Sequence, residues 1–342
     1  MNARAKAIRP QFPAPEATRL PRRNFLRLIG GSAALQSLSR DADADTWPAR
    51  PVRFIVGFPP GGASDIAARV VGQSLAGRLG QPFVIENRPG AGSNIAAEYV
   101  VRSPRDGYTI LLVNAANAIN ATLYERLSFD FLHDITPIAG LIQAPIVMVV
   151  NPSLPAKSVP EFIAFSKAHS GKVNMASAGT GTSPHVTGEM FKMMTGLELS
   201  HVPYRGGAPA LTDLMAGNVQ VFFATLPSSI EYIKAGKLRA LAVTTAARSP
   251  ALPQVPALGE FVPGYEATDW YGVGGPKGLS GEIVRRLNAE INAVLLDPVT
   301  QARFSEMGAA VLVKSPSEFE KLIAAECEKW AAVVKFSGAK ID

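Results

Sequence analysis

The sequence lacks the features of a disulfide-bonded, cysteine-metal or membrane-spanning protein. Its 342 residues include one cysteine, Cys327, which excludes a disulfide framework and any cysteine-based zinc site. The longest aliphatic run, 146–150, is far shorter than the ~20 residues of a transmembrane helix. Charged residues make up only 18% and hydrophobic residues 47%, which excludes a disordered chain. At this length we expect about two domains.

Signatures of common enzymes are also missing. The sequence contains no G-x-S-x-G elbow, no Walker A loop and no complete G-x-G-x-x-G, and its four histidines lack metal-ligand spacing. Ser183, His185 and Asp213 have the residue types of a catalytic triad, but nothing in their spacing supports one. We therefore expect no catalytic residues, no bound metal and no cofactor.

The positive charge is concentrated at the start of the chain. Residues 1–44 hold eight basic and three acidic side chains and thus +5 of the net charge of +6. Arg22 and Arg23 precede the apolar run 28–38, and small residues at 42–44 offer a cleavage site near Ala44. This order predicts a signal peptide over 1–44 of the twin-arginine type and export to the periplasm. General secretory export and a basic tail or amphipathic helix are the alternatives.

The rest of the chain is nearly neutral, which removes the case for a nucleic-acid partner. In an oxidising compartment an unpaired thiol is best kept buried, so we expect Cys327, which lies in a helical pattern, to be a core residue.

Short β-rich runs alternate with helical patterns from residue 47 onward. Runs 52–56, 83–86 and 108–113 are typical of strands, with helical stretches of 10–15 residues between them. A second unit of the same kind begins after 146–150. This alternation predicts an α/β fold with a parallel sheet covered on both faces.

Two turns rich in small residues connect a strand to a helix. The first loop, 58–65, reads FPPGGASD, and the second loop, 177–182, reads SAGTGT. Small residues let a ligand approach the backbone, and the first N–H groups of the following helix favour an anion. Each loop taken alone could equally be an ordinary turn with a helix cap. A third loop, 204–207, could form another wall of the same site.

Several segments in order resemble the Bug/TctC family, the extracytoplasmic solute receptors of tripartite tricarboxylate transporters. They are WPARPVR at 47–53, FPPGGASD at 58–65, VIENRPGAG at 84–92, PRDGYT at 104–109, VPYRGG at 202–207 and IKAGKLRALAV at 233–243. The resemblance covers nearly all of the chain after the predicted signal peptide.

This resemblance implies a periplasmic-binding-protein fold of type II, with two α/β lobes and a ligand cleft between them. Lobe I would comprise 47–148 plus 270–342, and lobe II 149–269. In the family a carboxylate is held by backbone groups of the loops. Carried over by position, the expected ligand-binding residues are Phe58, Gly61, Gly62, Ala63, Asp65, Asn117, Ser177, Ala178, Gly179, Thr180, Thr182, His185, Tyr204, Arg205, Gly206 and Gly207.

Two departures from the family pattern concern the site. Many members have Asp-Asn after the strand equivalent to 219–223, where this chain has Ala224 and Thr225. The missing acid argues against an amine-bearing ligand. The loop after the third strand often carries Thr-His, whereas residues 115–118 read AANA, which leaves the contacts at 114–117 open.

The resemblance implies a periplasmic receptor, not an enzyme. It would act as a monomer that captures a small organic carboxylate and delivers it to the membrane permease subunits of a tripartite tricarboxylate transporter. Two alternatives stay open. The protein could be a sensor that presents its loaded form to a signalling partner, or a periplasmic hydrolase or isomerase on the same fold.

Overall fold

The computed structural model describes residues 47–124 and 126–337. The predicted signal peptide lies outside the described residues. Of the helices in the described part, none combines the length and apolar character needed to cross a bilayer.

Ten strands occur in the described part, and the runs expected from the sequence are among them. They are β1 (Val52–Val56), β2 (Phe83–Asn87), β3 (Thr109–Asn114), β4 (Ile135–Val150), β5 (Asn174–Ser177), β6 (Ser200–Pro203), β7 (Val221–Thr225), β8 (Arg239–Val243), β9 (Thr268–Pro276) and β10 (Ala310–Val311).

Eleven α-helices alternate with these strands along the described residues. They are α1 (Ala63–Leu79), α2 (Asn94–Val101), α3 (Ala115–Leu123), α4 (Phe131–Asp134), α5 (Val159–Ala168), α6 (Ser183–Thr195), α7 (Gly207–Ala216), α8 (Leu226–Lys234), α9 (Gly281–Leu296), α10 (Pro298–Glu306) and α11 (Pro316–Ser337).

The strands form a mixed sheet rather than the wholly parallel one that the alternation predicts. The first strand group contains β1, β2 and β3, which run parallel, together with β9, β10 and the first part of β4. The second strand group contains the parallel strands β5, β6 and β7 together with β8 and the end of β4. Strands β4 and β9 pair antiparallel with their neighbours because each carries the chain from one group toward the other.

Strand β4 is much longer than the run 146–150 that the sequence predicts. Its first part contains Pro137, Gly140 and Pro145, which break the hydrophobic pattern of a strand. The pairing with β9 absorbs this irregularity by register shifts between Pro137 and Ala139 and between Gly140 and Ile142. Bulges of this kind accommodate residues that a regular strand excludes.

Hydrophobic cores cover both faces of each strand group. Because neighbouring residues of a strand point to opposite faces, Phe54 packs into the core under α1 and α9, whereas Ile55 packs under α2, α3 and α11. In the second group Met148 lies in the core with α5 and α6, and Val149 in the core with α7 and α8. Cys327 is buried on α11, so its predicted core position is confirmed.

Candidate functional site

Five helices begin around one cavity. Strands β1, β5 and β6 each end in a short turn that leads into α1, α6 and α7, and β3 and β7 run directly into α3 and α8. Within each strand group the parallel strands end at a common edge, and β9 and β4, which pair antiparallel between the groups, reverse the strand direction from one group to the other. The carboxyl ends of both sets of strands reach the same cavity. Residues at the start of all five helices line an inner cavity: Gly62, Asn114, Thr182, Gly207 and Thr225.

These helix ends leave backbone donors free for a ligand. Within the described residues, no side chain caps the first N–H groups of α1, α6, α7 or α8. Helix α3 differs, since the Asn114 side chain accepts from the N–H of Ala116. Each uncapped end carries a partial positive charge of about half a unit. The inner cavity is therefore suited to an anion although the described residues that line it include no lysine, arginine or histidine.

The residues expected at the site fall into three sets. Six line the inner cavity: Phe58, Gly62, Ala63, Ala178, Thr182 and Gly207. A larger outer cavity shares Phe58 and Ala178 with it and adds Gly179, Thr180, Tyr204 and Arg205. The other six are not among the residues that line either cavity: Gly61, Asp65, Asn117, Ser177, His185 and Gly206.

Asp65 holds the first loop from behind. It is buried, and its carboxylate accepts from the N–H of Gly61 at 3.0 Å, from Nε of Arg69 at 2.9 Å and from Nδ2 of Asn87 at 3.0 Å. Asn87 also donates to the carbonyl of Phe58 at 2.8 Å. Burial alone would raise the pKa of Asp65, but these donors outweigh it and lower the pKa. The ionised carboxylate thus fixes the backbone that faces the cavity.

A pair of histidines holds the second loop in a similar way. The rings of His185 and His201 stack with centroids 4.1 Å apart. His185 Nδ1 accepts from the N–H of Gly181 at 3.3 Å, and His201 Nε2 lies 2.7 Å from Oγ of Ser177, which accepts from the N–H of Gly179. Burial lowers the pKa of each histidine to about 4, with a smaller contribution from nearby positive charge. Both rings are neutral at pH 7.

The triad that residue types alone would allow is absent from the described structure. Oγ of Ser183 donates to Asp269 at 2.8 Å. Asp213 instead accepts from the hydroxyl of Tyr204 at 2.6 Å. His185 contacts the second loop as described, so the three side chains belong to different hydrogen-bonding groups.

Sequence reasoning missed a set of residues on the inner cavity. They are Asn114, Ala116, Ser183, Pro184, Phe222, Thr225, Ser228, Asp269 and Tyr271, whereas Pro59 and Ser64, which also line it, belong to the first loop. Asp269 is a carboxyl on β9 that is only 4% exposed, and its burial raises its pKa to about 6. A lone acid within the apolar run of β9 is the sequence signal that could have identified it. Asn117, which was expected at the site, instead accepts from the N–H of Asn114.

The outer cavity has an unusual backbone along one wall. Residues Gly90, Ala91, Gly92 and Ser93 all have positive φ, at 139°, 46°, 59° and 80°. Ala91 and Ser93 are strained there, because a Cβ atom disfavours the left-handed region. The adjacent helix α2 places Ile95 on the same wall.

Among the described residues, no group of three or more histidine, cysteine or acidic side chains is placed to hold a metal ion.

Comparison with known proteins gives a consistent assignment. A family model described as "Tripartite tricarboxylate transporter family receptor" matches residues 67–339. Protein BugT of Bordetella pertussis is 37% identical over 320 residues, which cover 93% of this chain and 98% of that protein. The chain belongs to the tripartite tricarboxylate transporter receptor family.

Solved structures place this receptor in the same fold. R. palustris Rpa4515 with adipate is 38% identical with a TM-score of 0.84, and the match covers 86% of this chain and 100% of that one. MatC (Rpa3494) from Rhodopseudomonas palustris with bound malate is 29% identical with a TM-score of 0.80, over 84% of this chain and 100% of that one. The periplasmic binding protein BugD is 32% identical with a TM-score of 0.83, and the match covers 86% of this chain and 99% of that one.

These similarities confirm the α/β periplasmic-binding-protein fold and the family expected from the sequence motifs. Members of the receptor family are periplasmic solute-binding proteins, and the family as a whole is a receptor family rather than an enzyme family.

Proposed function

We propose that this receptor captures a small organic carboxylate in the inner cavity and delivers it to the permease subunits of a tripartite tricarboxylate transporter. The observation that carries the proposal is the convergence of five helix N-termini, four of them without a side-chain cap among the described residues. Two similar receptors were crystallised with adipate and malate.

Backbone donors and hydroxyl groups would bind the carboxylate directly. The N–H groups at the starts of α1 and α6 face the cavity, and Ser64, Thr182, Thr225 and Ser228 line it with hydroxyl groups. Hydrogen bonds to a charged acceptor contribute about 1.5–3 kcal/mol each, so a few of them suffice without a cationic side chain. We propose that the sixteen residues expected from the sequence either contact the ligand or hold in place the residues that do.

Closure of two lobes would enclose the ligand. We place lobe I at 47–148 plus 270–342 and lobe II at 149–269. Support comes from the two strand groups, which are joined through β4 and through the start of β9. A hinge at these strands would bring the first loop toward the second loop, and the preference of the ligand for the closed form would drive the motion.

The protein would act as a monomer in the periplasm, after export directed by residues 1–44, and would perform no catalysis. Replacing Arg22 and Arg23 by lysine tests the export route. We expect the variant to remain inside the cell. Normal periplasmic accumulation would contradict twin-arginine export.

Thermal unfolding with a panel of acids tests the binding function. A ligand that binds only the folded state at 100 times its Kd stabilises that state by about 2.7 kcal/mol, which raises the melting temperature by several degrees. The panel contains mono-, di- and tricarboxylates and aromatic acids, with adipate and malate among them. Adipamide, the uncharged diamide of adipate, is the matched control and should produce no shift. A melting temperature that no acid moves would contradict carboxylate binding.

A further inference from the structure

Asp269 places a carboxyl group in a cavity whose helix N-termini favour an anion. Among the described residues that line the inner cavity, it is the sole charged side chain. It lies on β9 at the point where the chain returns from the second strand group to the first. An ionised Asp269 would repel the carboxylate that the five helix ends attract.

The groups around Asp269 include no cation to offset that charge. Its Oδ1 accepts from Oγ of Ser183 at 2.8 Å and from the N–H of Trp270 at 3.0 Å, and its Oδ2 accepts from the hydroxyl of Tyr271 at 2.5 Å. No lysine, arginine or histidine of the described residues forms an ion pair with it.

The titratable groups on the surrounding elements do not supply a positive charge either. On α11, the Glu326 carboxylate binds the indole N–H of Trp270 and adds negative charge near Asp269, and Lys329 pairs with Glu326 at 3.6 Å. On α6, Lys192 pairs with Glu189 at 2.9 Å, and His185 is neutral. On β9 itself, burial raises the pKa of Tyr271 well above its usual value, so its hydroxyl stays protonated.

We propose that Asp269 takes up one proton from water when the inner cavity binds a carboxylate, so that the anion and the proton are bound and released together. This inference rests on the proposed function, because it concerns the same site. The proton adds to a carboxyl oxygen of Asp269 and returns to water on release, and no other bond changes.

The surroundings make this proton uptake favourable. Burial already raises the pKa of Asp269 to about 6, and a second negative charge nearby raises a carboxyl pKa further. The hydroxyl groups of Ser183 and Tyr271 can rotate from donating to accepting, so a protonated Asp269 keeps its partners. A neutral Asp269 can also donate to the bound anion.

The proton linkage has a defined sign. Below pH 6 Asp269 is protonated with or without ligand, and its contribution to Kd is constant. Between pH 6 and its raised pKa in the complex, binding must draw a proton from water, so Kd rises by up to tenfold per pH unit.

Calorimetric titration with adipate and with malate from pH 6.0 to 8.5 tests the inference. This window lies above the range in which ordinary carboxylic acids titrate and above the pKa of about 4 of the two histidines. For the wild type we expect Kd to rise at least tenfold across the window. Titrations in two buffers of different ionisation enthalpy should show uptake of close to one proton per ligand near pH 7.5.

The Asp269→Asn variant removes the titration while keeping size and partners. Its amide oxygen can accept from Ser183 and Trp270, and its amide nitrogen can donate to the hydroxyl of Tyr271. We expect this variant to bind with a Kd that does not change with pH and to take up no proton. Glu326→Gln is the matched control, since it removes a carboxylate outside the cavity. It should keep the proton uptake and move the rise in Kd to lower pH.

The outcomes separate the two proposals. A wild-type Kd that stays constant from pH 6.0 to 8.5, with no proton uptake, overturns the role of Asp269 and leaves carboxylate binding intact. Proton uptake that persists in Asp269→Asn also overturns it. Failure of both acids to bind at every pH overturns the proposed function and this inference with it. If Asp269→Asn does not fold, two measurements still test the role of Asp269: the number of protons that the wild type takes up on binding and the pH dependence of Kd for Glu326→Gln.

Discussion

Replacing Gly62 by leucine should block the inner cavity and leave the fold in place. Gly62 is the N-cap of α1, with φ −84° and ψ 168°, a conformation open to any residue. A Cβ atom built there meets only the carbonyl oxygen of Pro59, at 3.9 Å. The space beyond is the inner cavity, which Gly62 lines. The new side chain would therefore occupy the volume proposed for the ligand.

The expected effect on binding follows from the donors that the side chain would displace. If the carboxylate loses two hydrogen bonds from N–H groups, each contributing about 1.5–3 kcal/mol, binding weakens by about 3 kcal/mol or more. That corresponds to a roughly 100-fold increase in Kd. The free energy of unfolding should change little, because two effects oppose each other. Leucine is a poorer N-cap than glycine, which costs ~1 kcal/mol, and it makes the unfolded chain less flexible, which offsets ~0.4–1 kcal/mol of that cost.

Gly77→Leu is a matched control on the same helix. Gly77 is exposed, and no other group lies within 4 Å of a Cβ atom built there. The Gly77→Leu variant should bind adipate like the wild type. It should be slightly more stable, because glycine is unfavourable within a helix by ~0.8–1 kcal/mol relative to alanine. Isothermal titration with adipate and urea unfolding measure both effects. A Gly62→Leu protein that is folded and binds with the wild-type Kd would refute the assignment of the inner cavity.

Three further outcomes concern groups behind the cavity walls. Lowering the pH from 7 to 4 should reduce the free energy of unfolding, because His185 and His201 stay neutral in the folded chain with a pKa of about 4, whereas the unfolded chain takes up protons below about 6.5. The part of the free energy of unfolding that is lost through protonation of His185 is on the order of 3 kcal/mol, and this loss is complete near pH 4. Asp65→Ala should destabilise the protein by about 1–3 kcal/mol and weaken ligand binding, since it leaves donors of the first loop unpaired. The thiol of Cys327 should react with a disulfide reagent at pH 8 only after unfolding, because burial raises its pKa to about 11.

A half-exposed position supplies a control for these outcomes. Asp106→Ala removes a half-exposed ion pair with Arg50 and a hydrogen bond from the N–H of Tyr108, and should destabilise the protein less than Asp65→Ala does, because water can replace both interactions. Urea unfolding at several pH values measures all of these variants. Equal effects of Asp65→Ala and Asp106→Ala, or rapid labelling of native Cys327, would contradict the burial on which the predictions depend.

The sequence predicts those parts of the site that have a local signature. The first and second loops combine small residues with the start of a helix, and the structure places parts of both on the inner cavity. Gly179 has a φ of +126°, which only glycine adopts readily, so its presence already indicated an unusual turn. Local geometry of this kind is encoded within a few neighbouring residues.

Residues brought together by the sheet topology could not be predicted in this way. Asp269 and Thr225 lie on strands far apart in sequence and line the same cavity because β9 and β7 both pair with β4. Helix α3 was missed because its sequence, AANAINATL, has alanines and asparagines in place of a hydrophobic stripe. The contacts of His185 could not be predicted either, because the direction of its side chain depends on where α6 begins; its ring stacks on that of His201.

A site that binds an anion without a lysine or arginine side chain depends more strongly on geometry than a site that contains a cationic side chain. A cationic side chain attracts a carboxylate from many directions, whereas the N–H groups at a helix end act over about one turn. The donors of the inner cavity are useful only if the first loop and the second loop keep their conformations, which Asp65 and the stacked histidines maintain from behind. Selectivity among acids should therefore respond to changes in the shape of these loops, while charge changes elsewhere on the surface should leave it unaltered.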